Sequence, residues 1–320
     1  MGAETSIVAV AGGTGFVGGA IARELAARGR HVIVLSHRRT AAATLPAAAR
    51  AGTAGSGTAL GSVEYRAADV TRPDSLVAAL AGVGTLVISL AFRNSPVEAP
   101  RRGQTFDRVD ADGTVALVAA AKTAGVTRLL YVSGAGAAPD AARHWFRAKW
   151  RAEEAVRGSG IAYTIFRPSW IYGPGDRSLN RFIGFTRWLP FVPQIGSGRQ
   201  TLAPVFIDDV GSLAADALET TTAENTTFEV GGPQTLTMDE IIREALRALH
   251  RRRPILHAPL ILMKLATAPL TLLPSPPMSP QAIDFVVQSA PVDTTLLTER
   301  LPRRLTPLSE ALASYLTPKR

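Results

Sequence analysis

The chain has 320 residues, 46% hydrophobic and 19% charged, with no cysteine. That suits one large domain or a core domain with a smaller lobe, and it excludes a disordered chain, disulfides and cysteine metal sites. The formal charge of +9 carries no interleaved aromatics that would point to nucleic acid, and the five histidines lack ligand spacing, so no metal is predicted.

Residues 7–10, Ile-Val-Ala-Val, are an apolar run too short for a helix and read as a buried parallel strand. Gly12, Gly15 and Gly18 follow with G-x-x-G-x-x-G spacing, and 20–28 reads as a helix with Ile21 and Leu25 on one face. Strand, glycine turn and helix are the context of a phosphate-cradling loop. Gly12 permits the tight turn, Gly15 lets backbone approach a pyrophosphate, and Gly18 lets helix and strand pack closely. The helix start favours an anion.

Further strands are predicted over 31–35, 63–67, 85–90, 127–133 and 161–166, and helices over 41–50, 106–124 and 141–157. Residues 52–61 are a Gly, Ser, Thr and Ala loop. Thr71 reads as the N-cap of a short helix, with Asp74 three residues on. Strands alternating with helices predict an α/β fold, a doubly wound parallel sheet (Rossmann) with a smaller C-terminal lobe. Ligands then sit outside the C-terminal ends of the strands, at the switch point.

After Pro168 the pattern changes. A helix is predicted over 180–189, a strand over 201–207, a helix over 208–218, a strand over 227–230 and a helix over 238–249. Arg251–Arg253 would close that last helix, at the end where the dipole favours cations. The expected division is a core over 1–175 and a lobe over 176–320, partly interleaved with it. Residues 258–280 are crowded with leucines, carry Lys264 as their only charge, and are cut by prolines into short helices. They read as a flap on the lobe, an interfacial membrane contact, a docking face or the lid of an apolar pocket. No leader pattern and no spanning segment is predicted, so the expected location is cytoplasmic or peripheral on the inner face of a membrane.

The order of motifs resembles a known family. Gly-Gly-Thr-Gly-Phe-Val-Gly at 12–18, Ala-Asp-Val at 68–70, Ile-Ser-Leu-Ala at 88–91, Tyr-Val-Ser at 131–133, Arg-Pro-Ser-Trp-Ile-Tyr-Gly-Pro-Gly-Asp at 167–176 and Val-Phe-Ile-Asp-Asp-Val at 205–210 resemble the extended and atypical short-chain dehydrogenase/reductases. Segments 179–200 and 228–233, with the basic 251–253, are similar to a narrower group. That group holds the accessory subunit of respiratory complex I built on this fold, and its bacterial relatives. The resemblance implies a nicotinamide dinucleotide. Gly12, Thr14, Gly15, Phe16 and Val17 would hold its pyrophosphate, Asp69 and Val70 its adenine, Leu90 and Ala91 its ribose, and Pro168, Ser169 and Ile171 its nicotinamide.

Two arguments refine this. An NAD site wants a carboxylate at the end of the second strand, yet Leu35 is followed by Ser36-His37-Arg38-Arg39. An arginine–phosphate contact is worth roughly 1.5–3 kcal/mol, so NADP(H) is predicted over NAD(H), with His37 and Arg38 at the 2′-phosphate. The family's enzymes also use a tyrosine four residues before a lysine. Here Lys149 is present but Trp145 stands in the tyrosine's place, and indole only donates a hydrogen bond. The family's helix asparagine falls at Asp110, and its serine is missing or is Ser133. Lys149 could still bind ribose hydroxyls, and His144 or Tyr172 could supply a proton. The expectation is an NADP(H)-binding protein with a degenerate site, its cofactor a structural or sensing ligand. The alternatives are an active reductase or epimerase on an apolar or quinone-like substrate, and a membrane- or complex-associated scaffold that uses 251–280.

Overall fold

The computed structural model describes residues 7–37, 61–92, 94–176, 178–186, 188–273, 276 and 278–316. The predicted helix at 41–50, nearly all of the loop at 52–61, and Arg38 and Arg39 lie outside the described residues.

The first half alternates β1 (Ile7–Ala11), α1 (Phe16–Ala27), β2 (Val32–Ser36), β3 (Val63–Ala67), α2 (Leu76–Ala79), β4 (Val83–Ile88), α3 (Gly113–Ala124), β5 (Arg128–Val132), α4 (His144–Arg157) and β6 (Ala162–Pro168). The chain continues through β7 (Trp170–Tyr172), α5 (Leu179–Phe185), β8 (Val192–Ile195), β9 (Thr201–Leu202), β10 (Pro204–Phe206), α6 (Ile207–Glu219), β11 (Thr226–Val230) and β12 (Leu236–Thr237). It ends with α7 (Met238–Ala248), β13 (Ile255–Ala258), α8 (Leu260–Thr267), α9 (Pro280–Val287), α10 (Thr295–Arg300) and α11 (Leu308–Tyr315).

Seven strands form one sheet in the order β11-β6-β5-β4-β1-β2-β3, and every pair is parallel. A parallel sheet is covered on both faces, which is why β1 and β2 read as nearly unbroken Val, Ile, Leu and Ala. On one face Val8, Val10, Val32 and Val34 pack with Ile21 and Leu25 of α1 and Val210 and Leu213 of α6. On the other, Ala9, Ile33, Leu86 and Ile88 pack with Leu117 of α3 and Val156 of α4. The strand order reverses between β1 and β4, so the switch point lies there. β11 comes from the second half of the chain and completes the sheet beside β6. α5, α7, α11 and the short strand pairs gather around Ile241, Ile242, Leu308 and Leu312, while Leu297 of α10 packs into the sheet-face core and Phe285 of α9 against Trp145. No described helix is long and apolar enough to cross a membrane.

Several expectations need correction. Thr71 caps nothing. Its N–H and hydroxyl both donate to Asp69 Oδ1, at 2.9 and 2.7 Å, and the following 3₁₀ turn Pro73–Ser75 is entered through Arg72 without a side-chain cap. A carboxylate is the stronger acceptor, so it takes the Thr71 donors for an Asx turn. The predicted helix at 106–124 opens with a π-helical turn, Phe106–Asp112, before α3. The strand predicted at 201–207 divides into β9 and β10, which pair with different partners. Arg251 closes α7 through its backbone, not its charge: its N–H donates to Leu246 O at 2.9 Å, while its Nη1 donates to Thr186 O and Oγ1 at 2.9 and 2.8 Å, tying down the end of α5, and Arg247 occupies the last turn of α7.

One buried carboxylate joins β5, β6 and α4. Glu153, fully buried, accepts from Ser133 Oγ at 2.6 Å, Arg157 Nη2 at 2.6 Å, and Arg167 Nε and Nη2 at 2.9 and 2.6 Å. Both guanidinium groups lie against the Trp150 ring, at 4.8 and 5.7 Å from its centroid. A buried charge left without its partner is costly. Glu153→Ala should therefore lower stability by about 3 kcal/mol, read from the urea midpoint at unchanged slope.

Candidate functional site

The loop between β1 and α1 crosses the end of β4. Gly12 has φ +82°, and a Cβ built on it would lie 2.0 Å from Ser89 O. A Cβ on Gly18 would lie 2.4 Å from Gly12 O, and the Gly15 N–H donates to Gly12 O at 2.8 Å. Both Gly12 and Gly18 are thus sterically required, and the loop is pressed flat between sheet and helix. Gly15 is the N-cap of α1, and no side chain caps the helix start. Thr14 and Gly15 are exposed there, Phe16 and Val17 half-buried, and the loop holds no carboxylate. Helix-start amides without a side-chain cap, close backbone and a favourable dipole fit a dinucleotide pyrophosphate.

His37 leaves the end of β2, exposed, beside the end of β3, where the Ala68 N–H donates to Ser36 O at 2.9 Å. Burial pushes the Asp69 carboxyl up, but the Thr71 donors and the charges of Arg72 and His37 outweigh it and hold the carboxyl below its ordinary value. Val70 and Leu90 converge on the start of α3: a Cβ on Gly113 would lie 3.0 Å from Val70 Cγ2 and 3.2 Å from Leu90 Cδ1. Ala91 is exposed beside Leu90. Pro168 ends β6, and Ile171 packs into the core from β7. Ser169, expected at the nicotinamide, has its side chain turned to the protein. Its Oγ donates to Ala290 O at 2.6 Å and accepts from Ala203 N at 3.0 Å, so the hydroxyl is engaged within the protein.

Lys149 lies on α4 with its ammonium 2.6 Å from Asp110 Oδ1. The π-helical turn delivers Asp110; it begins at Thr105, whose Oγ1 accepts from the Arg108 N–H. The ring of Tyr131, at the end of β5, lies 5.5 Å from Lys149 Nζ. Burial alone would lower the pKa of Lys149, but Asp110 and Tyr131 raise it above the ordinary lysine value. Burial pushes the Tyr131 phenol up to about 12. It also lifts Asp110, against the pull of Lys149. Three buried polar atoms here have no partner: Asp110 Oδ2, Tyr131 OH and Trp145 Nε1.

Trp145 is 3% exposed. Its ring sits 5.5 Å from Phe285 and 6.2 Å from Phe106, which in turn lies 5.0 Å from Phe92. Phe285 belongs to α9, so the lobe closes over this helix. Of the catalytic candidates named from sequence besides Lys149, His144 is next to Trp145, its Nε2 2.8 Å from Glu98 Oε2. The other two are corrected by their surroundings. Ser133 donates to Glu153, one turn along α4 from Lys149, so its hydroxyl is engaged by that carboxylate. Tyr172 is buried in the lobe cluster, 5.8 Å from Phe206, and burial pushes its phenol far up. Sequence reasoning missed Tyr131, Glu98 and Phe285. Tyr131 was legible as the end of β5; the other two come from distant loops and helices that no local pattern connects to α4. No described group of three or more His, Cys, Asp or Glu could hold a metal ion.

Residues 12–183 match the family model for NAD(P)H-binding proteins. The chain belongs to this family, a branch of the atypical short-chain dehydrogenase/reductases with a Rossmann-type fold. The NAD(P)H-binding match starts at Gly12 and covers the whole switch-point loop. Among relatives, subunit 9 of the NADH dehydrogenase [ubiquinone] 1 alpha subcomplex, mitochondrial, from Arabidopsis thaliana is 30% identical over 180 residues, 55% of this chain and 45% of that protein. The NAD(P)H azoreductase of Xenophilus azovorans is 31% identical over 134 residues, 39% of this chain and 42% of that protein. The chain thus spans under half the length of these curated relatives. In fold, the NADPH-dependent quinone oxidoreductase of Escherichia coli, solved with NADPH, superposes with a TM-score of 0.66 at 19% identity, covering 96% of this chain and 99% of that one.

Two outcomes follow for this site. Gly12→Ala should weaken NAD(P)H binding at least about tenfold, as measured by calorimetric titration with each nucleotide, because the loop must leave the end of β4. Asp110→Ala should cost about 3 kcal/mol at neutral pH by leaving the Lys149 ammonium buried and unpaired, and adding Lys149→Met should recover most of it. The sign with pH follows from the raised Lys149 pKa. Its stabilisation is full below the ordinary value of 10.5 and is lost as pH rises from there through the folded value, read as alkaline urea midpoints.

Proposed function

We propose that this chain holds NADP(H) as a structural or sensing ligand, with little or no turnover of the reductase kind. The observation that carries the reading is Trp145, four residues before Lys149 and packed among Phe92, Phe106 and Phe285, where a working site needs a titratable phenol. Indole neither gives nor takes a proton at useful pH. Asp110 also neutralises the Lys149 charge that would depress a phenol's pKa.

In this reading Gly12, Thr14, Gly15, Phe16 and Val17 face the pyrophosphate. Asp69 and Val70 face the adenine, Leu90 and Ala91 the ribose, and Lys149 the nicotinamide ribose. Pro168, Ile171 and the backbone of Ser169 flank the nicotinamide. His37 and Arg38 take the 2′-phosphate, and the absence of any carboxylate directly after β2 supports NADP(H) over NAD(H). A bound nicotinamide would supply hydride chemistry; the chain's own part is to bind and orient it. Residues 1–175 form the binding unit and 176–320 the lobe that meets substrate or partner.

A second reading, a reductase of an apolar or quinone-like acceptor, draws support from the aromatic wall around Trp145 and from His144 paired with Glu98 as the nearby titratable group. The printed names of the azoreductase and quinone oxidoreductase relatives point the same way. The Arabidopsis relative, named as a subunit of an NADH dehydrogenase, suggests instead a scaffold in a larger assembly.

Titration with NADPH and NADH, on the wild type and Arg38→Ala, tests the first reading. The expected result is one NADPH per chain, about tenfold weaker binding in the variant, and no NADPH oxidation on adding quinones or azo dyes. Failure of both nucleotides to bind overturns it. Oxidation that disappears in His144→Ala establishes the second reading.

A further inference from the structure

Helix α8 has an unusual surface. Its sequence, Leu-Ile-Leu-Met-Lys-Leu-Ala-Thr, is apolar on nearly every side, yet among its residues only Thr267 is buried. Ile261 is 73% exposed, Leu262 60% and Leu265 66%, and Leu272 in the 3₁₀ turn after it is 76% exposed. An apolar helix in a water-soluble domain is normally buried in the core. Here α8 leans on α9, held partly by the Lys264–Asp284 ion pair at 2.5 Å, and Leu262 and Leu265 face solvent.

The charge around it is one-sided. From residue 245 to 283 the chain has no aspartate or glutamate, while Arg247, Arg251, Arg252, Arg253 and Lys264 fall in the same stretch. Arg247 is paired with Glu244, Arg251 with Thr186, and Lys264 with Asp284. Arg252 and Arg253 are exposed, and no described carboxylate lies within ion-pair distance of either. Only Pro254, the four-residue strand β13 and Pro259 separate them from α8. Arg251 also fastens this stretch to the end of α5, next to Trp188, which is 87% exposed.

We infer that α8 and the following turn lie on an anionic lipid bilayer, with Ile261, Leu262, Leu265 and Leu272 in the acyl boundary and Arg252 and Arg253 on the headgroups. An eight-residue helix is about 12 Å long, far too short to span a bilayer, and apolar residues beside free cations suit the interface plane. Charge complementarity selects this occupant. A second copy meeting the same face about a two-fold axis would set one acid-free basic stretch against another. An anionic leaflet attracts each such cation. Seated this way, α8 brings α9 and its Phe285 beside the membrane, so the aromatic cluster around Trp145 lies just behind the lipid-facing layer. The inference does not depend on which nucleotide binds.

Co-sedimentation of the full chain with vesicles tests it, comparing phosphatidylcholine alone with phosphatidylcholine mixed with phosphatidylserine. The expected result is binding to the mixed vesicles that is at least about tenfold weaker on phosphatidylcholine alone and that falls with added salt. Leu262→Asp with Leu265→Asp, and separately Arg252→Glu with Arg253→Glu, should each weaken it at least about tenfold. All four side chains are exposed, so the thermal midpoint and NADPH titration of both variants should match the wild type. Wild-type protein that stays in the supernatant with both vesicles overturns the inference, as does an aspartate variant that binds as well as the wild type. So does self-association in sedimentation velocity that the aspartate pair abolishes without any vesicle binding, which assigns the face to a second copy.

Discussion

A single steric fact sits under the whole arrangement: the Gly12 backbone lies against the Ser89 carbonyl with no room for a Cβ. β1 and β4 are neighbours at the point where the strand order reverses, and the chain leaving β1 must cross the end of β4 to reach α1. Only a glycine can take both that φ and that proximity. Once it does, Gly18 packs back on Gly12, and α1 lies close along the sheet with its start open. The same economy of side-chain volume continues outward. A Cβ on Gly211 of α6 would lie 3.2 Å from Ala20 O of α1, so the outer helix layer is also set by close backbone approach. The ligand-binding geometry and the helix packing share one cause.

Helix α4 carries two electrostatic networks one turn apart. Toward β6 it contributes Glu153, whose charge is met by two arginines and a hydroxyl and stacked on Trp150. Toward α3 it contributes Lys149, met by Asp110 from a π-helical turn, a local irregularity of the kind found at functional sites. The first network is satisfied and partly screened, so it is structural. The second is buried and leaves Asp110 Oδ2, Tyr131 OH and Trp145 Nε1 unpartnered. Unpaired buried polar atoms cost free energy, so their concentration around one lysine marks a place shaped by something other than stability.

Much of this was legible in the residues. The strand runs, the glycine spacing and the alternation of elements reflect local sterics and burial, so they leave periodic traces. Trp145 could be found by counting four back from Lys149, because one helical turn puts both on one face. What was not legible depends on competition between partners. Thr71 looked like a cap until the Asp69 carboxylate took both its donors. Arg251 looked like a helix-closing charge until the end of α5 offered two acceptors. Ser169 read as a residue beside the nicotinamide, and its hydroxyl is taken up by Ala203 and Ala290.

By itself, then, the sequence determined the fold class, the glycine-rich turn after β1 and the tryptophan one helical turn before Lys149. Each is set by the identity and spacing of residues within a few turns of chain. Only the tertiary structure decided how the site is finished. It paired Lys149 with Asp110, set Tyr131 beneath them, closed Phe285 of α9 over Trp145 and left α8 facing outward. Those outcomes rest on contacts between segments far apart in the chain. Their energies depend on burial and on which partner arrives first within reach, and neither is written in local pattern.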